Sequence, residues 1–325
     1  MDILDDLHLA ELAPIRWLQS LPAAVEPVME FVSMFGTDTF FLVLLPALYW
    51  CVDPRLGLRV AVTVLVAAAT NAIAKLLTHA PRPYWIDPGV RPLSVEGSFG
   101  LPSGHAQIAA ATLGQLAAGS RRPWAWWTAG GLVALVCLSR VYLGVHFVSD
   151  VVVGTLLGLL VLALVRGLER PVTGWWVRQP LWGQLAAAAA VSGAVLGAAV
   201  LANAPYAGWS PPLSWSSAGT IAPESLDRIV AMSGALLGVL AGASVMHRLG
   251  WFDAGGPLNL RLARWLLGSA GLGLIWFGLR AALPDADVLR FLRYALLSLW
   301  VLVGAPLTFI RLGLMSRAKQ PQAVQ

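Results

Sequence analysis

The sequence predicts an all-α, polytopic membrane helix bundle of about nine transmembrane helices, preceded by an N-terminal amphipathic interfacial helix. Three observations carry that reading. Of 325 residues, 58% are hydrophobic and only 12% charged, where a soluble domain carries about 25% charged residues. The apolar runs are long enough for helical spans. The formal net charge of +5 is made of arginines that cluster between those runs, the pattern of cytoplasmic loops and not of a nucleic-acid footprint.

Residues 1–27 interleave Leu4, Leu7, Leu12, Ile15, Trp17 and Leu18 with Asp2, Asp5, Asp6, Glu11 and Arg16. This is an amphipathic segment, expected to lie in the interface and to break at Pro14 and Pro22. Its start, Met1-Asp2-Ile3-Leu4-Asp5-Asp6, has no basic n-region, so no cleavable signal peptide is expected. The first span is placed at about 28–51, ending on the interfacial aromatics Tyr49 and Trp50, and the second at about 57–79. A Pro-rich polar connection, 80–102, follows. The run 103–120 is short and holds Gln107, Thr112 and Gln115, so it belongs inside the bundle, with Arg121 and Arg122 snorkelling at its end. Spans four and five are placed at 124–142 and 147–167, the latter with Gly154 and Gly158 spaced for close helix contact.

A basic connection, 168–180, leads to four more spans at 182–203, 225–246, 260–282 and 288–311. Gly234, Gly238 and Gly242 form a small-residue ridge on the seventh. The connection 204–223, with Tyr206, Trp209 and Trp215, is expected to sit flat on the membrane surface. The tail 316–325 is expected to be disordered. Cys51 and Cys137 belong to no metal-type cluster and read as packed thiols. With nine spans, Arg55, Arg59, Arg121, Arg122, Arg166, Arg170, Arg178, Arg248, Arg261, Arg264, Arg311, Arg317 and Lys319 share one side, which should be cytoplasmic. The N-terminal segment and the loops 80–102, 143–146, 204–223 and 283–287 then face outward.

A charged group in apolar sequence marks a site by default, and Ser139-Arg140-x5-His146-x3-Asp150 holds two together with a histidine. His146 and Asp150 are four apart, so on a helix they share a face. A carboxylate there fixes the imidazole tautomer and stabilises its charge. Lys75 and Arg82, in Lys75-x6-Arg82-Pro83, fall at the outer end of span two, and Pro102-Ser103-Gly104-His105 opens span three at the same level. Two helix N-termini and three cations then form a pocket for a doubly charged anion that requires no metal. Ser103 suits the N-cap, and Gly104 lets the backbone come close to a ligand.

These three motifs, in order and with their internal spacing, resemble the signature of the type 2 phosphatidic-acid phosphatase family, which also includes vanadium haloperoxidases and acid phosphatases. The resemblance covers residues 28–168. It implies a membrane-bound phosphoric ester hydrolase acting on a lipid phosphate, without cofactor. It also implies roles: His146 as nucleophile, Asp150 as its orienting carboxylate, His105 as the acid that protonates the leaving oxygen, and Lys75, Arg82, Ser103, Gly104 and Arg140 as the phosphate-binding set. His79 matches no required motif position, Tyr142 reads as packing, and Arg91 and Glu96 are candidates for headgroup contact. The expected organisation is an interfacial segment 1–27, a catalytic core 28–168, additional spans 169–315 and a tail 316–325. The expected partners are a lipid phosphate substrate and membrane lipids, with no nucleic acid. Which lipid phosphate, hydrolysis or phosphotransfer, and the oligomeric state stay open, and a non-catalytic lipid transporter or binding protein is the alternative from another class.

Overall fold

Helices make up nearly all regular structure in the computed structural model, which describes residues 3–120, 122–206, 208–215 and 221–318. In order they are α1 (Ile3–Gln19), α2 (Glu26–Ser33), α3 (Asp38–Cys51), α4 (Pro54–Thr78), α5 (Pro83–Ile86), α6 (Gly104–Ser120), α7 (Pro123–Tyr142), α8 (Val148–Arg178), α9 (Leu181–Asn203), α10 (Asp227–Leu249), α11 (Leu258–Ala282), α12 (Asp287–Leu299) and α13 (Ala305–Arg311). A π-helical turn, Trp300–Gly304, joins the last two. Two-residue strands, β1 (Phe252–Asp253) and β2 (Ser316–Arg317), pair antiparallel. Among the described residues, seven helices are long and apolar enough to cross a membrane, or eight if Ala23–Gly36 and Thr39–Cys51 form one broken span. The expected first span is thus two shorter helices. The run at 103–120 is helical, but α6 has only 17 residues.

The described chain divides into two compact units: 1–40, 66–165 and 197–226 in the first, and 41–65, 166–196 and 227–325 in the second. In the first, α6 is buried along most of its length, and the glycines of α8 explain how it can lie so close. A Cβ on Gly154 would collide with the Ser103 carbonyl, and one on Gly158 with the Gln107 carbonyl. Gln107 of α6 is satisfied internally, its Nε2 donating to the Ala67 carbonyl (3.0 Å) and to Thr70 Oγ1 (2.9 Å), whereas Thr112 Oγ1 and Gln115 Oε1 are buried without a hydrogen-bond partner among the described residues. Unpaired, such amides cost several kcal/mol in an apolar interior, roughly 2–7 each.

Several sequence expectations are corrected. α1 is not broken at Pro14, whose side is exposed, so water can serve the carbonyl that loses its helical donor; the helix ends before Pro22. Its buried positions, His8, Leu12, Ile15 and Gln19, form one helical stripe. That stripe and its flanks dock by polar contacts: Glu11 with Ser149, Arg16 with Asp87, and Gln19 with Arg91 and Tyr142. The basic stretch 168–180 is no loop, because α8 continues through Pro171 to Arg178. Tyr206, Trp209 and Trp215, half-buried, pack on His79, Phe99 and Trp85, a tertiary contact the sequence did not suggest. Ser316 and Arg317 are held by strand pairing and Ala318 N donates to the Trp251 carbonyl (3.4 Å), whereas the expectations for Arg121 and for residues 319–325 fall outside the described residues.

In the second unit, Tyr49 and Trp50 are core, not interfacial. They are 2% and 0% exposed and donate to the carbonyls of Leu302 (3.1 Å) and Val301 (2.9 Å). The ridge of α10 meets α12 closely: a Cβ on Gly234 or Gly238 would strike the carbonyl of Phe291 or Ala295. Arg264 is fully buried and spends its fork on the carbonyls of Trp50, Ala254 and Gly255.

Candidate active site

All eight residues singled out by the motifs lie in the first unit. Lys75 sits in the last turn of α4. The chain then leaves the helix at His79, which adopts φ +47°, and reaches Arg82. Both cations are buried, and both are tied to one short piece of the 80–102 connection. Lys75 Nζ donates to Ser98 Oγ (3.1 Å) and the Phe99 carbonyl (2.5 Å). Arg82 donates from Nε to the Ser98 carbonyl (2.6 Å) and from Nη2 to Ser98 Oγ (3.1 Å) and the Phe99 carbonyl (3.2 Å). Its Nη1 donates to the Val145 carbonyl (2.8 Å) and lies 3.3 Å from His146 Nε2.

The second motif meets the third through the backbone, as Ser103 N donates to the Asp150 carbonyl (2.9 Å). Ser103 Oγ is buried without a hydrogen-bond partner among the described residues. It therefore does not make the N-cap bond its position suggested. A buried hydroxyl left unpaired is costly, and a phosphoryl oxygen is a partner that would satisfy it. Gly104 packs closely on Asn71: a Cβ would stand 2.9 Å from Asn71 Oδ1 and displace that side chain. Asn71 in turn donates to the Pro102 carbonyl (3.1 Å) and to Gln107 Oε1 (3.0 Å), fixing the turn into α6. The His105 ring lies beside Gly36, where a Cβ would come within 2.7 Å of it.

In the third motif, Arg140 is 2% exposed. It donates from Nη1 to Ser33 Oγ (2.7 Å) and from Nη2 to Glu96 Oε1 (2.5 Å), while its Nε is buried and unpartnered. Gly144 takes φ +72° and turns the chain from α7 toward His146. A Cβ there would strike the Arg91 carbonyl, Gln19 Nε2 and Val90, so glycine is required twice over. Asp150 Oδ2 lies 3.1 Å from His146 Nδ1 and accepts from Phe147 N (3.0 Å). A carboxylate accepts only, so this network assigns the imidazole proton to Nδ1 and leaves the lone pair on Nε2, toward Arg82.

The start of α8 is spoken for. Its early N–H groups do not face an open pocket: Phe147 N goes to Asp150, and Ser149 N donates to Glu11 Oε1 and Oε2 (both 3.1 Å), with Ser149 Oγ donating to Oε2 (3.0 Å). Two of the N–H groups on which the expected anion site at the start of α8 depended, those of Phe147 and Ser149, are therefore already taken by carboxylates.

The electrostatics follow from this crowding. Burial, then the charges of Arg82, Lys75, Arg140 and His105, push His146 well below the ordinary histidine range, so it is neutral near pH 7. Burial alone would raise the Glu96 carboxyl, but Arg82, Arg140, His105 and Lys75 bring it down to about 2. The result is a neutral imidazole whose Nε2 lone pair faces the Arg82 guanidinium within a cluster of cations.

Sequence reasoning missed Ser33, Asn71, Ser98, Glu11 and the Phe99 carbonyl. Asn71 carried a signal, being an amide in an apolar helix one turn before Lys75. Glu11 carried a weaker one, an acid beside the buried stripe of α1. Ser33, Ser98 and a main-chain carbonyl carry none that a single sequence displays.

The PAP2 superfamily model matches residues 56–171, and a second model, described as PAP2 superfamily phosphatase, transmembrane extension, matches 230–318. The chain is 31% identical over 144 residues to sphingosine-1-phosphate phosphatase 2 of Mus musculus, covering 42% of this chain and 40% of that protein. It is 39% identical over 100 residues to phosphatidylglycerophosphatase B of Bacillus subtilis, covering 27% of this chain and 49% of that one. It is 28% identical over 138 residues to undecaprenyl-diphosphatase of Sulfolobus acidocaldarius, covering 42% and 66%. The matches thus span less than half the length of the first two relatives. The two family matches include all three motifs and together take in more than half of the sequence, and on that footing the chain belongs to the PAP2 superfamily, as an integral membrane member.

Proposed function

We infer that the protein is a membrane-embedded lipid phosphate phosphatase that works through a phosphohistidine. The observation that carries this is the pair of contacts on His146: Asp150 at Nδ1 and Arg82 beside Nε2. His146 Nε2 attacks phosphorus as the P–O bond to the lipid alcohol breaks, and His105 gives its proton to that leaving oxygen. Water then attacks the phosphohistidine, His105 takes a proton from it, and the N–P bond breaks to release phosphate. Lys75, Arg82 and Arg140, with Ser103 Oγ and the Gly104 amide, hold the phosphoryl oxygens as charge develops on them. Asp150 stabilises the charge that His146 acquires.

The relatives named for sphingosine 1-phosphate, phosphatidylglycerophosphate and undecaprenyl diphosphate support a phosphomonoester or diphosphate on a lipid as the substrate class. Nine spans, counting α6 and one broken first span, put the arginine-rich loops and the C-terminus in the cytoplasm. The motifs and α1 then lie at the outer face of a bacterial plasma membrane. Residues 28–168 are the catalytic core in this reading, and 169–315 an addition to it.

The test is phosphate release from a panel of lipid phosphates by purified protein with EDTA present, comparing wild type with His146→Ala. Wild type should turn over and trap labelled phosphate on histidine, and the variant should do neither. Full turnover by His146→Ala would rule this mechanism out. Label appearing in a second lipid instead of water would identify a phosphotransferase.

A further inference from the structure

Residues 204–215 lie between the two family matches, 56–171 and 230–318, and belong to neither. Their aromatic side chains nevertheless pack on the stretch that builds the phosphate pocket. Phe99 is the link. Its carbonyl accepts from both Lys75 and Arg82, while its ring meets Trp209 at 5.5 Å and Trp215 at 6.5 Å between centroids. Trp85 repeats the arrangement: one face lies 5.9 Å from the Arg82 guanidinium, and Trp215 packs on it at 5.3 Å. Both Phe99 and Trp85 are fully buried.

His79 supplies an independent observation. It stands between Lys75 and Arg82 in sequence, and φ +47° is a conformation that non-glycine residues seldom adopt. Such a backbone persists only where its surroundings over-determine it. Here the imidazole is held by rings: Tyr206 stacks on it at 3.2 Å and 20°, and Phe99 meets it at 4.3 Å. The Leu76 main chain and the Glu224 carboxylate also act on the ring, but its closest ring partners are these two aromatics.

We propose that Tyr206, Trp209 and Trp215 are positioning residues for the phosphate-binding cations, acting through His79, Trp85 and Phe99 on Lys75 and Arg82. The connection that follows α9 thereby gains a part in the reaction that the catalytic motifs do not reveal. This rests on the phosphatase reading above. The cations bond main-chain oxygens, which move only as the backbone moves. Releasing the rings that clamp this backbone lets Ser98 and Phe99 shift, and both cations shift with them.

The experiment uses full-length protein in detergent and orthovanadate as the anion probe. Trp209→Ala/Trp215→Ala and Tyr206→Ala are compared with Trp209→Phe/Trp215→Phe, each first passed through size exclusion. In the alanine variants vanadate binding should weaken about tenfold, since a small misplacement of binding groups is amplified in affinity. Amide exchange at 98–100 should quicken in parallel, and the phenylalanine pair should restore both. Tyr206→Ala decides the matter if the double variant does not fold. Wild-type vanadate affinity and wild-type exchange in a folded alanine variant would overturn the proposal. Should wild type neither bind vanadate nor release phosphate, the phosphatase reading falls, and the exchange result alone decides whether these rings fix the loop.

Discussion

Arg82 Nη1 lies 3.3 Å from His146 Nε2, so the atom proposed to attack phosphorus shares its space with a permanent cation. That cation opposes protonation of the imidazole. Removing it, as in Arg82→Ala, takes away a repulsion, and the His146 pKa rises. Burial, the larger cause of its low pKa, remains, so the rise is partial. The acid limb of kcat/KM should therefore move to higher pH in Arg82→Ala, while the plateau falls roughly 10²–10³-fold from lost phosphoryl stabilisation. Arg82→Lys keeps the charge but loses the fork, so its plateau should fall with the limb unmoved. A pH–rate series on the three proteins checks this, and an unmoved limb in Arg82→Ala would remove Arg82 from the causes of the low pKa, leaving burial and the other cations.

Glu96 should stabilise the fold in a pH window set by its own titration. Arg140 is almost fully buried, and Glu96 is its carboxylate partner. Leaving a buried charge unpaired costs roughly 3–5 kcal/mol; Glu96 is 25% exposed, so Glu96→Gln should cost less, about 2 kcal/mol. The carboxyl titrates near 2 when folded against an ordinary 4.5. A depressed acid contributes its full stability above the unfolded value and loses it as pH falls through the folded one. Thermal melts should thus show a constant gap between wild type and Glu96→Gln from pH 5 to 8, shrinking below about 4.5. A gap that widens in acid would contradict the pairing.

What the sequence displayed, and what it hid, divides along a physical line. The apolar runs and the spacing of His146 and Asp150 are local, and the helices and the 3.1 Å contact follow from them directly. Gly154 and Gly158 were legible as a close-contact pair, though not that the contact is with Ser103 and Gln107. The second coordination of the cations was illegible because it runs through Ser98 and a carbonyl of Phe99, and a main-chain acceptor leaves no mark in a sequence. The packing of Tyr206, Trp209 and Trp215 was hidden for a related reason. Uncharged aromatic loops read as membrane-surface segments, and only tertiary packing shows which rings they meet.

Glu11 caps the helix that carries Asp150 although it comes from α1. Its carboxylate takes the Ser149 amide and hydroxyl, while His8 stacks on Phe147 at 4.1 Å and 8°. Phe147 and Ser149, which follow His146, are thereby held from α1. Loss of an N-cap costs about 1 kcal/mol, so Glu11→Ala should lower stability by that amount. It should also lower kcat by roughly tenfold with little change in KM, because the nucleophile loses its alignment while the phosphate cations keep theirs. Steady-state kinetics on Glu11→Ala and Ser149→Ala provide the check. A change confined to KM would detach α1 from the nucleophile.

Gly154 gives the sharpest steric prediction. A Cβ at this position would strike the Ser103 carbonyl and stand 3.2 Å from its nitrogen, and backbone atoms cannot rotate away as a side chain can. Gly154→Ala must push α6 from α8, which stretches the Ser103 N to Asp150 O bond and draws Ser103 and Gly104 off the phosphate position. kcat/KM should fall about 10²-fold or more. Gly158→Ala meets the Gln107 carbonyl one turn farther from the chemistry, so it should cost comparable stability with a smaller loss of rate. Gly131→Ala is the control. A Cβ there meets nothing within 4 Å, and alanine in a helix interior gains roughly 0.5–1 kcal/mol over glycine. Melting and kinetics on the three variants would rank them 131, 158, 154 in residual activity. Equal activity at 154 and 131 would mean that α6 and α8 are not in the contact described.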